Sequence, residues 1–446
     1  MSYPEAIRYL EGLGNYEIIS RYPYQKVVKL ERIQGFLELL ANPQAHLRCI
    51  QVAGSKGKGS TCAFLTYILR EAGFKTGLYT SPHLADFRER IRILSPKSKG
   101  LKSNTEFEGM IPRVRLAQLV SRLKPVVEKY SRTSKFGPLT FFEVYTALAF
   151  LYFKEEKVDF AVLETGLGGR LDATNVVRPL VRVIPQISNE HTDKLGRTLK
   201  KIAAEKAGII KGPGSVVISA AQKREALAVI RNKCKKEGAE LFVAGKDVTC
   251  KGSAKRFTVQ GTQTEYKNLK IRLCGNHQLE NACVALAAIE SLRRHNINVD
   301  IASLRRGLYN TLWPGRCEVT LKNPLVVLDG AQNPASAKVL KKAIKESFRY
   351  RRLILVFGVS NDKDIRGMAD ELRVLADAVI LTRSLNPRAT DPQLLRKYFP
   401  AKDKGLYITN SVKEAKKLAW QLVHKKDLIL VTGSLFVVGE FRNVKT

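Results

Sequence analysis

Apolar and polar positions along the 446 residues change period repeatedly, from short continuous apolar runs to apolar residues spaced three and four apart. Residues 1–46 follow the second pattern and read as amphipathic helix, notably over Leu30-Glu31-Arg32-Ile33-Gln34-Gly35-Phe36-Leu37-Glu38-Leu39-Leu40. Strand-like runs at 47–53, 76–80, 158–164 and 181–187 then alternate with helical patterns at 60–72, 114–130, 140–154 and 198–209. Such alternation predicts an α/β fold, a mostly parallel sheet with helices on both faces. Residues 240–274 carry short alternating segments such as Arg256-Phe257-Thr258-Val259 and predict a small antiparallel appendage, followed by helices near 276–294 and 300–310. Leu312-Trp313-Pro314-Gly315-Arg316 breaks the pattern, and α/β alternation restarts with strands at 324–328, 352–357, 377–382 and 427–431 and helices at 334–348, 364–374 and 411–423. The expected organisation is a domain over 1–312, a linker over 313–317 and a second doubly wound domain over 318–446. Ligands of such sheets gather at the carboxyl ends of strands, and a site between domains is favoured.

The segment Val52-Ala53-Gly54-Ser55-Lys56-Gly57-Lys58-Gly59-Ser60-Thr61 stands between an apolar run and a helix start. Gly54, Gly57 and Gly59 let backbone N–H groups converge on phosphate oxygens, Lys58 adds a point charge, and the hydroxyl of Ser60 or Thr61 can reach Mg²⁺. The longer form of this loop would place glycine at position 52, where Val stands. The shorter GxxGKxS form argues against an ordinary kinase or GTPase. Other strand ends carry polar groups. Glu164 closes Phe160-Ala161-Val162-Leu163 and precedes the glycine-rich run Thr165 to Asn175; a carboxylate there suits Mg²⁺ better than it suits a solvated turn. Val181 to Ser188 runs into Asn189-Glu190-His191-Thr192-Asp193, where His191 on local pattern alone reads more readily as a structural or surface residue than as a ligand. Ser81-Pro82-His83-Leu84 offers a hydroxyl for a metal or an ordinary turn, and Lys206 sits on a rather apolar helix where a lysine ordinarily snorkels.

Composition narrows the classes. No window approaches about 18 uninterrupted apolar residues, so no membrane span is expected. The start, Met1-Ser2-Tyr3-Pro4-Glu5-Ala6-Ile7-Arg8, lacks an apolar signal core, and a cytoplasmic protein is expected. The seven cysteines have no CxxC spacing; neither a zinc site nor a disulfide framework is expected, and most read as small buried apolar residues. The net charge of +35 favours anionic partners. The clusters at Lys97, Lys99 and Lys102, at Lys233, Lys235 and Lys236, and at Arg349, Arg351 and Arg352 lack interleaved aromatics, so nucleic acid is not the expected primary partner.

The motifs Gly54 to Thr61, Ser81-Pro82-His83-Leu84, Thr140-Phe141-Phe142-Glu143, Glu164 to Asn175, His191-Thr192-Asp193, Glu205-Lys206-Ala207-Gly208, Trp313-Pro314-Gly315-Arg316, Asp329-Gly330-Ala331-Gln332-Asn333-Pro334 and Val431-Thr432-Gly433-Ser434-Leu435-Phe436 occur in one order along nearly the whole chain. In that order the chain resembles the folylpolyglutamate synthase and dihydrofolate synthase family, within the wider Mur ligase group. The resemblance implies an N-terminal P-loop ATP-binding domain and a C-terminal Rossmann-like glutamate-ligase domain. It implies an ATP-dependent ligase adding L-glutamate to dihydropteroate or to tetrahydrofolates through an acyl phosphate, acting as a monomer. ATP phosphates would lie on Gly54, Gly57, Lys58, Gly59 and Ser60, with Asn281, Arg316 and Asp329 also holding the nucleotide and Arg316 reaching the phosphates on domain closure. Mg²⁺ ligands are implied at Ser81, Glu164 and His191, and a carbamylated Lys206 at a second Mg²⁺; Lys58, Lys206 and Arg316 carry the catalytic roles. The pterin substrate is implied beside Leu30, Arg32, Thr140, Phe141, Phe142, Glu143, Leu171, Asp172 and Ala173.

Departures from the family pattern are Ser55-Lys56 where Thr-Asn is usual, Gln332 where His is common at the implied glutamate position, and an atypical Tyr22-Pro23-Tyr24-Gln25. No general base is identifiable. Three rivals predict different features. A peptidoglycan-type Mur ligase predicts a further sugar-nucleotide domain before the P-loop, where 53 residues precede Gly54. A nucleic-acid-stimulated ATPase predicts a concentrated basic face. A non-catalytic nucleotide-binding module predicts loss of residues such as Lys58, Glu164, His191 and Lys206.

Overall fold

The computed structural model describes residues 1–17, 19, 22–96, 107–400 and 405–444. Lys97, Lys99 and Lys102 lie outside the described residues. The chain forms two compact units: Met1–Pro82, Phe87–Arg272 and Leu279–Thr311 make the first, and His83–Asp86, Leu273–Gln278 and Leu312–Thr446 the second.

The first unit is built on a seven-stranded sheet of β1 (Cys49–Val52), β2 (Thr76–Tyr79), β3 (Ile91–Leu94), β4 (Phe160–Glu164), β5 (Val181–Ile184), β6 (Val216–Ser219) and β7 (Glu240–Val243), in the order β3-β2-β4-β1-β5-β6-β7. All neighbours are parallel except β2 and β3. Successive side chains face opposite sides of a strand. Cys49, Ala161 and Leu163 therefore share one face, where they join the core formed with helices Tyr3–Glu11, Leu30–Leu39, Arg113–Thr133 and Phe141–Glu155. Val52 and Glu164, paired in register, lie three positions beyond Cys49 and Ala161 and so turn to the other face. That face receives helix Lys58–Glu71, against which helix Ile301–Asn310 packs so closely that a Cβ on Gly307 would lie 2.4 Å from the Ile68 Cα. A three-stranded antiparallel sheet of β8 (Thr249–Ser253), β9 (Arg256–Gln260) and β10 (Glu265–Leu269) completes the unit.

The second unit holds a six-stranded sheet of β11 (Glu318–Lys322), β12 (Leu325–Leu328), β13 (Leu353–Phe357), β14 (Ala378–Leu381), β15 (Gly405–Ile408) and β16 (Leu428–Thr432), ordered β11-β12-β16-β13-β14-β15. Only the β11–β12 pair is antiparallel. Helices Pro334–Ser347 and Ile365–Leu372 contribute Leu340, Ile344, Met368 and Leu372 to a core shared with Leu353, Leu355 and Phe357.

The structure corrects the sequence reading in places. Residues 1–46 are not continuously helical: helix Tyr3–Glu11 ends at Gly12, and helix Leu30–Leu39 follows the separate single turn Tyr24–Val27. Glu240–Val243 does not belong to the antiparallel appendage but forms the parallel edge strand of the main sheet. Strands β3, β6, β11 and β15 were not anticipated. Among the described residues no helix is long and apolar enough to cross a membrane.

Candidate active site

Four neighbouring strands of the first unit, β2, β4, β1 and β5, end on one edge of the sheet. The glycine loop leaves β1 there. Its backbone is stitched to the segment after β5: the N–H groups of Ser55 and Lys56 both donate to the Gln186 carbonyl at 3.0 Å, and Ser55 Oγ donates to the Ser188 carbonyl at 3.0 Å. Gly57 has φ +83°, a left-handed conformation that favours glycine, and a Cβ there would lie 2.1 Å from Asn281 Oδ1. Asn281, on helix Asn276–Ser291, is thus set directly against the loop. Helix Lys58–Glu71 begins at Gly57 with no side-chain cap and no acidic residue in its first turn. Its first N–H groups and positive dipole end form an anion-binding terminus.

Lys58 and Glu164 face each other beside that terminus, Nζ to Oε1 at 3.9 Å, with Glu164 only 6 % exposed. Ser81 lies two residues beyond β2, the strand next to Glu164's. His191 follows β5 in a left-handed conformation, φ 48°, and starts a short helix at Thr192–Leu195. Ser81, Glu164 and His191 thus follow or close β2, β4 and β5, with β1 between the last two, and a hydroxyl, a carboxylate and an imidazole at this edge are N/O donors of the kind a Mg²⁺ site can use. No group of three or more His, Cys, Asp or Glu poised to hold a metal occurs among the described residues.

Lys206 is 2 % exposed; its Nζ donates to the Gly54 carbonyl at 2.8 Å and to Glu190 Oε1 at 3.1 Å. Burial lowers its pKa to about 8 against the opposing pull of Glu190. Burial pushes Glu190 upward, but Lys206, Lys58, Lys56 and His191 together bring it down to about 2. Lys56, the unusual loop cation, is 3.7 Å from the other Glu190 oxygen. Glu190 was not singled out from sequence. The local signal was slight, an acid immediately before His191 after a strand end.

The residues expected beside a pterin also converge. Arg32 Nε bonds both Glu143 oxygens at 2.9 Å, while its remaining nitrogens donate to the carbonyls of Phe136 and Val27. Glu143 also caps its own helix through Thr140 N and Oγ1, both at 2.8 Å. The turn at Ala173–Val176 packs against helices Leu30–Leu39 and Phe141–Glu155. Asp172 receives Gly166 N at 2.8 Å, Leu167 N at 3.0 Å, Thr174 N at 3.0 Å and Thr174 Oγ1 at 2.6 Å, so its carboxylate is fully engaged in shaping the glycine-rich loop. Leu30, Phe142 and Leu171 are partly exposed; Arg32, Thr140, Phe141, Glu143, Asp172 and Ala173 are buried.

In the second unit, Asp329 follows β12 and accepts the N–H groups of Cys317 and Ala331, each at 2.8 Å. Burial raises its pKa and Arg316 opposes that rise. A Cβ on Gly330 would lie 2.6 Å from Arg316 Nη1, so glycine is what lets the guanidinium lie against this turn. His277 lies here too, its pKa lowered to about 4 by burial and then by Arg316. Gln332 is exposed just before helix Pro334–Ser347, its N–H bonded to Ser336 Oγ.

Residues 127–289 match the Mur ligase middle domain and residues 315–435 the Mur ligase, glutamate ligase domain. The dihydrofolate synthase/folylpolyglutamate synthase of Bacillus subtilis (strain 168) is 35 % identical over 422 residues, 93 % of this chain and 94 % of its own. The chain belongs to the folylpolyglutamate synthase and dihydrofolate synthase family of Mur ligases. Members of this family are ATP-dependent ligases, and so is this chain. Its fold is similar to that of the Mycobacterium tuberculosis folylpolyglutamate synthase complexed with ADP, with a TM-score of 0.86 at 29 % identity over 99 % of this chain and 97 % of that one. It is also similar to Escherichia coli FolC in complex with DHPP and ADP, with a TM-score of 0.81 at 29 % identity over 98 % and 96 % of the two chains.

Proposed function

We propose that this ligase joins the amine of L-glutamate to the carboxylate of dihydropteroate, to the γ-carboxylate of a reduced folate, or to both in separate reactions. The Bacillus subtilis relative, named for both activities, supports the two-acceptor form. The observation that carries the reading is the uncapped first turn of helix Lys58–Glu71 with Lys58 and Glu164 beside it, a phosphate cradle and a cation-binding carboxylate on one sheet edge.

Making an amide from a carboxylate in water requires an activated acyl group. The acceptor carboxylate attacks the γ-phosphorus of ATP, ADP leaves, and an acyl phosphate forms. The glutamate amine then adds to the acyl carbon and inorganic phosphate departs. Gly54, Gly57, Gly59 and Ser60 are assigned to the phosphates, Asn281, Arg316 and Asp329 to the nucleotide, and Lys58 and Arg316 to charge on the transferring phosphoryl group. Ser81, Glu164 and His191 would hold Mg²⁺, which when bound neutralises phosphate charge. Lys206 is proposed to be carbamylated. That reaction needs a neutral amine, and a pKa near 8 gives a neutral fraction at pH 7 roughly 300-fold above that of an ordinary lysine. The resulting carbamate beside Glu190 would place two anions together, which calls for a second cation.

Leu30, Phe142 and Leu171 are assigned to the pterin itself; Arg32, Thr140, Phe141, Glu143, Asp172 and Ala173 are its frame. Gln332 is assigned to the incoming glutamate. The test is ADP release from purified protein with MgATP, L-glutamate and, in parallel, dihydropteroate or tetrahydrofolate, with mass detection of the products. Turnover on each acceptor assigns that activity; release stimulated by nucleic acid instead would overturn the reading.

A further inference from the structure

Arg92 sits inside β3, a strand buried along its whole length. It pairs in register with Leu78 of β2, so the two side chains leave the same face of the sheet. Ile91 and Ile93 turn the other way, into the core that helix Phe141–Glu155 covers. Arg92 therefore points toward helix Lys58–Glu71, which packs on β2 and β3. That helix contributes Tyr67 and Arg70, each 1 % exposed, and Arg92 itself is 0 % exposed. Glu108 ties the two arginines together: Arg70 Nη1 donates to its Oε2 at 2.7 Å, and Arg92 Nε donates to its carbonyl at 2.8 Å. Arg70 Cζ stands 4.5 Å from the centroid of the Tyr67 ring.

The hydrogen bonds stop short of closing this cluster. Both terminal nitrogens of Arg92, the Arg70 Nε and the Tyr67 hydroxyl are buried without a hydrogen-bond partner among the described residues. The charge is no better matched. Glu108 gives its carboxylate to Arg70, Glu71 divides its oxygens among Arg70, Arg306 and Asn310, and Arg92 receives only a carbonyl. A guanidinium cannot shed its proton inside a protein, and an unpaired buried charge is among the costliest groups a fold can hold. Native structures answer such an orphan with ordered water or an ion. Water would offer acceptors without charge; an anion offers both.

We propose that Arg92, together with Arg70 and Tyr67, holds a small inorganic anion, of the size of chloride or phosphate, between β3 and helix Lys58–Glu71. The anion neutralises the charge that the acids of the cluster leave over, and it gives acceptors to donors from both the strand and the helix. It thereby fastens the far end of this helix to the sheet. The site is separate from the phosphate cradle at the other end of the same helix, because Arg70 is 12 positions beyond Lys58, about 18 Å at the α-helical rise. Exposure of 0–1 % at the three side chains excludes a peptide or a nucleotide as the occupant.

The experiment follows thermal unfolding of the full-length protein at constant ionic strength while chloride, or phosphate in a parallel series, replaces gluconate, an anion too large for so closed a site. The expected result is a saturable rise in Tm of about 2–4 °C in at least one series, and the series that saturates identifies the anion. Arg92→Met should unfold at the same temperature in every salt. Lys58→Ala, which alters the anion-binding terminus at the glycine loop, should keep the rise. Wild-type crystals soaked in bromide or in arsenate, heavier stand-ins for the two anions, should show an anomalous peak beside the Arg92 guanidinium in one of the two soaks, a readout that needs no variant to fold. A Tm that saturates with neither anion, a rise that survives in Arg92→Met or disappears in Lys58→Ala, or maps with no peak at Arg92 in either soak would overturn the proposal.

Discussion

Asp172 separates a structural account from a direct-contact account of the acceptor site. Its carboxylate is 5 % exposed and accepts four hydrogen bonds, two from the Gly166 and Leu167 N–H groups and two from Thr174. Asp172→Asn keeps the shape but exchanges one acceptor oxygen for a donor. The best arrangement keeps the amide oxygen on Gly166 and Leu167 and turns the NH₂ toward Thr174. Thr174 Oγ1 can rotate its hydrogen away, although it already accepts from Gln51 Nε2 at 3.1 Å. The Thr174 N–H cannot turn, and it is left buried facing another donor. One orphaned buried N–H, together with weaker bonds to a neutral oxygen, costs about 2–3 kcal/mol after allowing for the charge no longer buried. Urea denaturation at pH 7 with an unchanged m-value measures this loss directly. The acceptor KM should rise alongside, because the Gly166–Gly168 loop loosens. If stability stays within about 0.5 kcal/mol of wild type while the acceptor KM rises, Asp172 touches substrate and the frame argument is wrong.

Other consequences are equally direct. Gly57→Ala must overcome both the positive φ and a 2.1 Å approach to Asn281, so ADP binding should fall by at least an order of magnitude in calorimetry while the far-UV circular dichroism stays native. His277 titrates near 4 in the fold against 6.5 unfolded, so the unfolded chain binds more protons between those values. Stability should therefore fall as pH drops from 6.5 to 4, by up to about 3 kcal/mol, and His277→Asn should flatten that part of the profile. Arg32→Lys removes the Nε hydrogen bond shared by the two Glu143 oxygens and leaves the Phe136 and Val27 carbonyls unpaired, so about 2–4 kcal/mol of stability should be lost in thermal or urea unfolding. Lys206→Arg, which cannot form a carbamate, should abolish turnover and the bicarbonate-dependent mass gain of one CO₂ that the wild type shows, while leaving ADP binding measurable.

Much of the fold was legible because the central strands are buried on both faces. Cys49–Val52, Phe160–Glu164 and Leu353–Phe357 read as continuous apolar runs for that reason. The strands that escaped notice were short, and several lie at edges. β3 is four residues long, with Arg92 buried inside it and Arg90 just before it, and those charges masked the run. β11 is exposed along most of its length and β15 only half-buried, so neither shows an apolar signature. β7 was legible as a strand but not as a neighbour of β6, because pairing is a property of the fold and not of the segment. At the candidate site, Lys58, Glu164 and His191 were named because the resemblance joins their motifs, and the structure places Lys58 beside Glu164. Glu190 was missed because its partners, Lys56 and Lys206, come from 134 positions before it and 16 after it. The engagement of Asp172 with its own loop was likewise invisible, since a motif records which residue is present and not which of its oxygens are already used.

The most direct test of the central claim follows one oxygen atom. Acceptor pterin labelled with ¹⁸O in its carboxylate is turned over with MgATP and L-glutamate, and the released inorganic phosphate is weighed by mass spectrometry. Activation through an acyl phosphate predicts one ¹⁸O in each phosphate released during amide formation. Unlabelled phosphate accompanying amide product would contradict the account, because the carboxylate would then not have been the group that received the phosphoryl.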